Sequence, residues 1–153
     1  MSSITEQRTP PQVDVRGPRF GAWMSTAVLV GALLVSAESL VAAAVILGAQ
    51  AVVFAVGATL GPRRHPYGLV FATLVAPRLG PVTEREPVPP LKFAQLVGFA
   101  FATVGVIGFA SGLAPLGLVA TALALVAAFL NAAFGICLGC QLYPLFTRLT
   151  PTQ

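Results

Sequence analysis

Charge is what this chain has least of. Only 9% of its 153 residues are Asp, Glu, Lys or Arg, against roughly 25% in an ordinary soluble domain. No charged residue at all lies between Phe93 and Thr147. So few charges cannot coat a water-facing surface, whereas a lipid-facing surface needs none, and 56% of the residues are hydrophobic. The chain therefore reads as an integral membrane protein. Histidine occurs once and cysteine twice. Two cysteines three apart are too few and too close for a secreted disulfide scaffold. Outside the N-terminal tail the acidic residues are Glu38, Glu84 and Glu86, so no carboxylate pair sits in an apolar run and no Ser/His/Asp set is available. A nucleotide-binding glycine loop is also missing. Hydrolytic catalysis is not expected, no cofactor or metal is implied, and nothing marks a stand-alone enzyme.

The formal net charge of +4 raises nucleic acid as a partner, but the basic residues stand in short segments beside apolar runs rather than in one stripe. Charges placed that way orient helices in a bilayer, so lipid and not nucleic acid is the expected partner.

Long apolar runs are what the chain does have. They predict one all-α integral membrane domain, a four-helix transmembrane bundle of two helical hairpins over residues 19–148. Its spans fall at about 20–37, 40–60, 91–109 and 116–137, near the roughly 20 residues that cross hydrocarbon. Residues 1–18 read as a polar, proline-containing cytoplasmic tail whose first dozen residues are disordered, and 149–153 as a C-terminal tail. Basic residues, an apolar run and Val35-Ser36-Ala37 also resemble a signal peptide with a cleavage site. The run is long for that purpose, and a second apolar segment follows at once, as a hairpin requires.

In the first turn, Ser36 is expected to cap the second helix, with Glu38 in that helix's first turn. Gln50 is expected to bond a neighbouring helix. Residues 61–90 form the main polar connection. Within it Tyr67 to Val75 is apolar but too short to span, which suits a short interfacial helix or a segment docked under the bundle. His65, beside Arg63 and Arg64, is expected in a solvated loop. Gly57/Gly61 and Ala128/Ala132 have the four-residue spacing that lets membrane helices approach closely. The repeated pattern of a basic residue before Phe (Arg19-Phe20, Lys92-Phe93), a span, a turn and an Ala-rich span is consistent with duplicated hairpins.

Topology follows from charge. With four spans, both termini and the 61–90 loop share a side, and that side holds every basic residue: Arg8, Arg16, Arg19, Arg63, Arg64, Arg78, Arg85, Lys92 and Arg148. The other side holds only Glu38. By the positive-inside rule the basic side is cytoplasmic.

The chemistry is concentrated in Cys137-Leu138-Gly139-Cys140. Cysteines three apart on a helix share a face, and three functional readings stay open. The pair is a redox dithiol whose thiolate is favoured by a helix N-terminus or by a cation such as Arg63, Arg64 or Arg148. Alternatively it relays sulfur as a persulfide or guides a sulfur anion. Or it is half of a zinc or iron–sulfur site that only a homo-oligomer completes. The plain alternative is two small buried apolar side chains. Sequence leaves undecided whether Cys137 ends the fourth helix or starts another, and the two ends shift a thiol's acidity in opposite senses. Asn131, six residues upstream, points roughly 240° away on a helix and is expected to make a helix–helix hydrogen bond.

Two segments also resemble a known family. Val13-Asp14-Val15-Arg16-Gly17-Pro18-Arg19-Phe20 and Phe134-Gly135-Ile136-Cys137-Leu138-Gly139-Cys140-Gln141-Leu142-Tyr143 are similar to the signature segments of an uncharacterised bacterial membrane family, a domain of unknown function common in actinobacteria. The likeness spans about residues 13–148. It implies four spans in a bacterial inner membrane, no established activity, and association with thioredoxin-like proteins and sulfurtransferases. It marks Asp14, Arg16, Arg19, Cys137 and Cys140 as matching positions. The expected function is a cytoplasmic-face dithiol for thiol redox or sulfur relay with a cytosolic partner. A transporter or permease component for a small sulfur compound, and a structural subunit with inert cysteines, are the alternatives.

Overall fold

The computed structural model describes residues 9–150. The tail expectations for residues 1–8 and 151–153 lie outside it. Four helices are long and apolar enough to cross a membrane: α1 (Arg16–Ser36), α2 (Leu40–Leu60), α4 (Val88–Ala110) and α5 (Ala114–Phe134). Between α2 and α4 lies a short helix α3 (Pro66–Val70), which widens through Phe71–Val75 and tightens into a 3₁₀ turn at Ala76–Arg78. A sixth helix, α6 (Leu138–Leu149), follows α5. The fold is all-α, a four-helix bundle of two hairpins.

Around the bundle, α1 packs on α2, α2 on α4, α4 on α5 and α5 back on α1. The core is made of small and medium residues: Leu29, Ala43, Leu47, Ala51, Phe54, Ala102, Phe109 and Ala124. Val41, Val45, Val52, Leu118 and Val119 point outward and are exposed, as lipid-facing side chains are. The expected close approach at Gly57/Gly61 and Ala128/Ala132 is not the one that brings backbone against backbone most plainly in the spans. Between α4 and α5 the backbones approach closely: a Cβ on Gly108 would stand 2.8 Å from the Gly117 Cα. Glycine on both helices lets these backbones touch.

Local chemistry corrects several expectations. Ser39, not Ser36, caps α2, accepting a 3.1 Å bond from the Ala42 N–H. The Ser36 hydroxyl instead donates backward to the Leu33 carbonyl, so Glu38 precedes the helix. The N-terminal segment is structured from Gln12 onward. Strand β1 (Gln12–Asp14) pairs antiparallel with β2 (Arg85–Pro87), Val13 opposite Glu86, and α1 begins at Arg16. An Asp14–Arg16 fork supports that start, as described below.

The fourth span stops at Phe134 rather than running to 137. Gly135 adopts a left-handed φ of 69°, which glycine takes without strain, and the Gly135 and Ile136 N–H groups donate back to the Asn131 and Leu130 carbonyls. Tyr143 and Pro144 lie within α6. Helix α6 packs on the start of α4, with Phe93 against Tyr143 and Phe146. Leu138, Leu142, Leu145, Phe146 and Leu149 form an exposed apolar stripe along it, the pattern of a helix lying in a membrane interface.

Candidate functional site

Cys137 is the N-cap of α6, in extended backbone conformation, and its sulfur accepts the Cys140 N–H at 3.2 Å. The two cysteines form a disulfide, with Cα atoms 5.2 Å apart, rather than two free thiols. The helix therefore starts at the cysteines and does not end there. Its unpaired N–H groups and the positive end of its dipole favour negative charge on Cys137 once the bond is reduced. Both cysteines are half-buried. Gly139 packs against Ala94 of α4, where a Cβ would stand 2.7 Å from the Ala94 Cβ, so glycine between the cysteines lets α6 seat on the bundle.

The segment before the cysteines is held from α1. Arg19 donates to the Ala132 and Ala133 carbonyls at 3.3 and 3.5 Å, covering carbonyls that the end of α5 leaves unpaired. An ideal Cβ on Gly135 would lie 4.0 Å from the Arg19 guanidinium carbon. A cation thus stands at the turn leading into Cys137, and it comes from Arg19 rather than from the loop arginines considered in the sequence. Arg63 is engaged with the Gln12 carbonyl at 3.2 Å.

Asp14 and Arg16 hold each other. The Arg16 side chain donates to both Asp14 oxygens at 2.7–3.0 Å, and the Arg16 N–H donates to Oδ1 at 3.0 Å. The Arg16 side-chain bond keeps the Asp14 carboxyl below its usual range, against the opposing effect of burial. Arg16 also reaches the Gly80 carbonyl at 3.2 Å. The pair therefore ties β1, α1 and the connection to β2.

A cavity of about 810 Å³ lies among α1, α3, α4, α5 and α6. Asp14 and Cys137 line it together, along with Arg85, Asn131, His65 and Gln95. Arg16 and Arg19 lie outside it, on a shallower hollow beside Phe20 and Trp23. Asn131 has no side-chain hydrogen bond among the described residues and lines the Cys137 cavity, so the expected helix–helix bond is not formed. The 240° separation held for one continuous helix, and the left-handed turn at Gly135 breaks that continuity.

His65 is the largest departure from expectation. It is buried, 5% exposed, beneath Gly57 rather than solvated. Burial pushes it below the ordinary histidine range. Gln95 stands beside it and opposes that shift, but the two do not align into a hydrogen bond. His65 Nε2 and Gln95 Oε1 are both buried without a partner. Gln95 escaped sequence reasoning because a single amide in an apolar helix gives no indication of what it faces.

Gln50 does join helices: it donates to Ser25 of α1 at 3.0 Å and accepts from the Tyr67 hydroxyl at 2.7 Å. Tyr67 is thus turned inward toward α2. Among the described residues no three of His, Cys, Asp and Glu come together as a metal site.

The chain matches the model of a family described as Domain of unknown function (DUF4395) over residues 13–148, and it belongs to that family. No curated protein and no solved structure matches it.

Proposed function

We propose that this DUF4395 member is a thiol–disulfide redox protein of a bacterial cytoplasmic membrane, with both termini and the Cys137–Cys140 pair on the cytoplasmic side. The observation that supports this reading is Cys137 at the N-cap of α6, its sulfur accepting the Cys140 N–H. That placement makes Cys137 the attacking thiolate and Cys140 the resolving one. The orientation rests on the gathering of basic residues in the segments that join at the α6 end of the bundle.

The exchange is balanced within the pair and its partner. A thiolate of a cytosolic dithiol protein attacks the Cys137 sulfur, the Cys137–Cys140 bond breaks, and Cys140 leaves as thiolate and takes up a proton. The partner's second thiol then attacks the mixed disulfide and releases Cys137. Two electrons and two protons have moved. A thioredoxin-like protein fits as partner, and a sulfurtransferase fits the related step in which Cys137 carries a persulfide.

The test is a Cys140→Ser variant expressed in its membrane and quenched with acid. The expected result is a mixed disulfide through Cys137 with a cytosolic thiol protein, absent from Cys137→Ser; a persulfide in its place identifies sulfur relay. If Cys137 stays unreactive and the double Cys→Ala variant is unchanged in every assay, the cysteines are structural and the proposal fails. Labelling of Cys140 in intact cells by an impermeant thiol reagent from outside would overturn the orientation.

A further inference from the structure

The cavity that touches Cys137 changes character with depth. Gln12, Asp14, Arg63 and Arg85 stand at its outer end, where β1, β2 and the connection after α2 meet. Farther in, its walls are Ala94, Gly98 and Phe101 of α4 and Leu123, Ala124 and Ala128 of α5. Ala94 and Phe101 are two turns apart, about 10 Å along a helix, against the roughly 15 Å of half a hydrocarbon core. Phe101 and Leu123 are also exposed on the lipid-facing surface. The cavity therefore opens sideways into hydrocarbon between α4 and α5. Its volume, about 810 Å³, is in the range of small-molecule sites.

The outer end carries unspent positive charge. Both Asp14 oxygens are taken by Arg16. Arg85 stands opposite Asp14 in the strand pair and lines the cavity, while its neighbour Glu86 belongs to the other face of β2. The Arg85 side chain makes no hydrogen bond or ion pair among the described residues. Arg63 donates from one terminal nitrogen to the Gln12 carbonyl, and its guanidinium has further N–H groups to give. Two cations thus stand above an apolar shaft.

A free anion would answer the arginines and leave the apolar walls without a partner. A hydrocarbon alone would fill the shaft and leave the guanidinium groups unused. An acyl chain joined to a phosphate matches both, and the bilayer supplies it through the side opening. We infer that the cavity is a binding site for an anionic phospholipid. One acyl chain enters between α4 and α5, and the headgroup phosphate meets Arg63 and Arg85. Cys137 borders the same cavity, so the bound lipid covers one side of the disulfide. The unpaired atoms of His65 and Gln95 are sealed from it and take no part. The inference stands whether or not the cysteines exchange.

The experiment titrates the full chain in mild detergent with phosphatidylglycerol, and separately with phosphatidylcholine of the same acyl chains. Bound lipid is counted by native mass spectrometry. One phosphatidylglycerol should bind per chain, about tenfold or more tighter than phosphatidylcholine. Arg63→Gln with Arg85→Gln should abolish that preference. Ala127→Trp, which fills the cavity, should remove binding of both lipids, whereas Val119→Trp on the outer surface should change nothing. A second measurement needs no variant to fold: phosphatidylglycerol with a diazirine in its acyl chain should label Ala94, Ala124 and Ala128 of the wild type ahead of Val119. Equal affinity for the two lipids, undiminished binding in Ala127→Trp, or labelling that favours Val119 would overturn the site. Displacement of the lipid by inorganic phosphate would make it an ion site and overturn it as well.

Discussion

The two ends of the bundle use the same helices in opposite ways. At one end α1 turns into α2 over residues 37–39 and α4 into α5 over 111–113. Nearby, Gly105, Gly108 and Gly117 bring α4 and α5 into backbone contact. At the other end lie β1 and β2, α3 and α6, an ion pair, the buried His65 and the disulfide, while Gln50 sits midway along α2. There the same α4 and α5 border a cavity, from Phe101 and Leu123 onward. Glycine contact welds the first end, because in lipid close packing is the main source of helix adhesion. Polar links tie the second end and leave space between the helices. The disulfide and the buried His65 are found where the helices are not welded.

That contrast is most severely tested at Gly108. Gly108→Val would drive a side chain into the Gly117 backbone and should cost about 3 kcal/mol in detergent unfolding. Gly31, with nothing within 4 Å, should accept valine within about 0.5 kcal/mol. Equal losses at the two glycines would break the comparison. A middle-sized effect belongs to Gln50→Leu, which removes the partner of both Ser25 and Tyr67 and should cost about 1–2 kcal/mol. Its damage should appear as faster hydrogen exchange in α3, with the α4–α5 contact unaffected.

The smallest effect is a pH dependence from His65. Its folded value lies below the ordinary 6.5, so the unfolded chain binds the proton first as pH falls. This stabilising contribution is complete above the unfolded value, and it declines as pH drops from 6.5 toward the folded value. The slope is at most ~1.4 kcal/mol per pH unit for one proton. His65→Gln should abolish that slope in thermal unfolding between neutral and mildly acidic pH.

Hydropathy made the four spans legible, because long uncharged runs have one stable environment. The β1–β2 pairing was not legible. Each strand is three residues long, the two lie far apart in sequence, and one ends at Pro87. Ser36 and Ser39 are equivalent as caps in sequence, and only backbone geometry chooses between them. The Cys-x-x-Cys motif was visible, but its place at a helix start depends on the left-handed turn at Gly135. His65 beside arginines looked solvated because its cover, Gly57 and Gln95, comes from two other helices.

The proposed redox function turns on Cys137 as the activated thiol of the pair. In a Cys140→Ser variant, the pH dependence of Cys137 alkylation measures this directly. The prediction is a titration well below the ordinary thiol value of about 8.5, with Cys140 in Cys137→Ser titrating higher. A Cys137 that titrates at or above that value, or reacts more slowly than Cys140 at neutral pH, would contradict it.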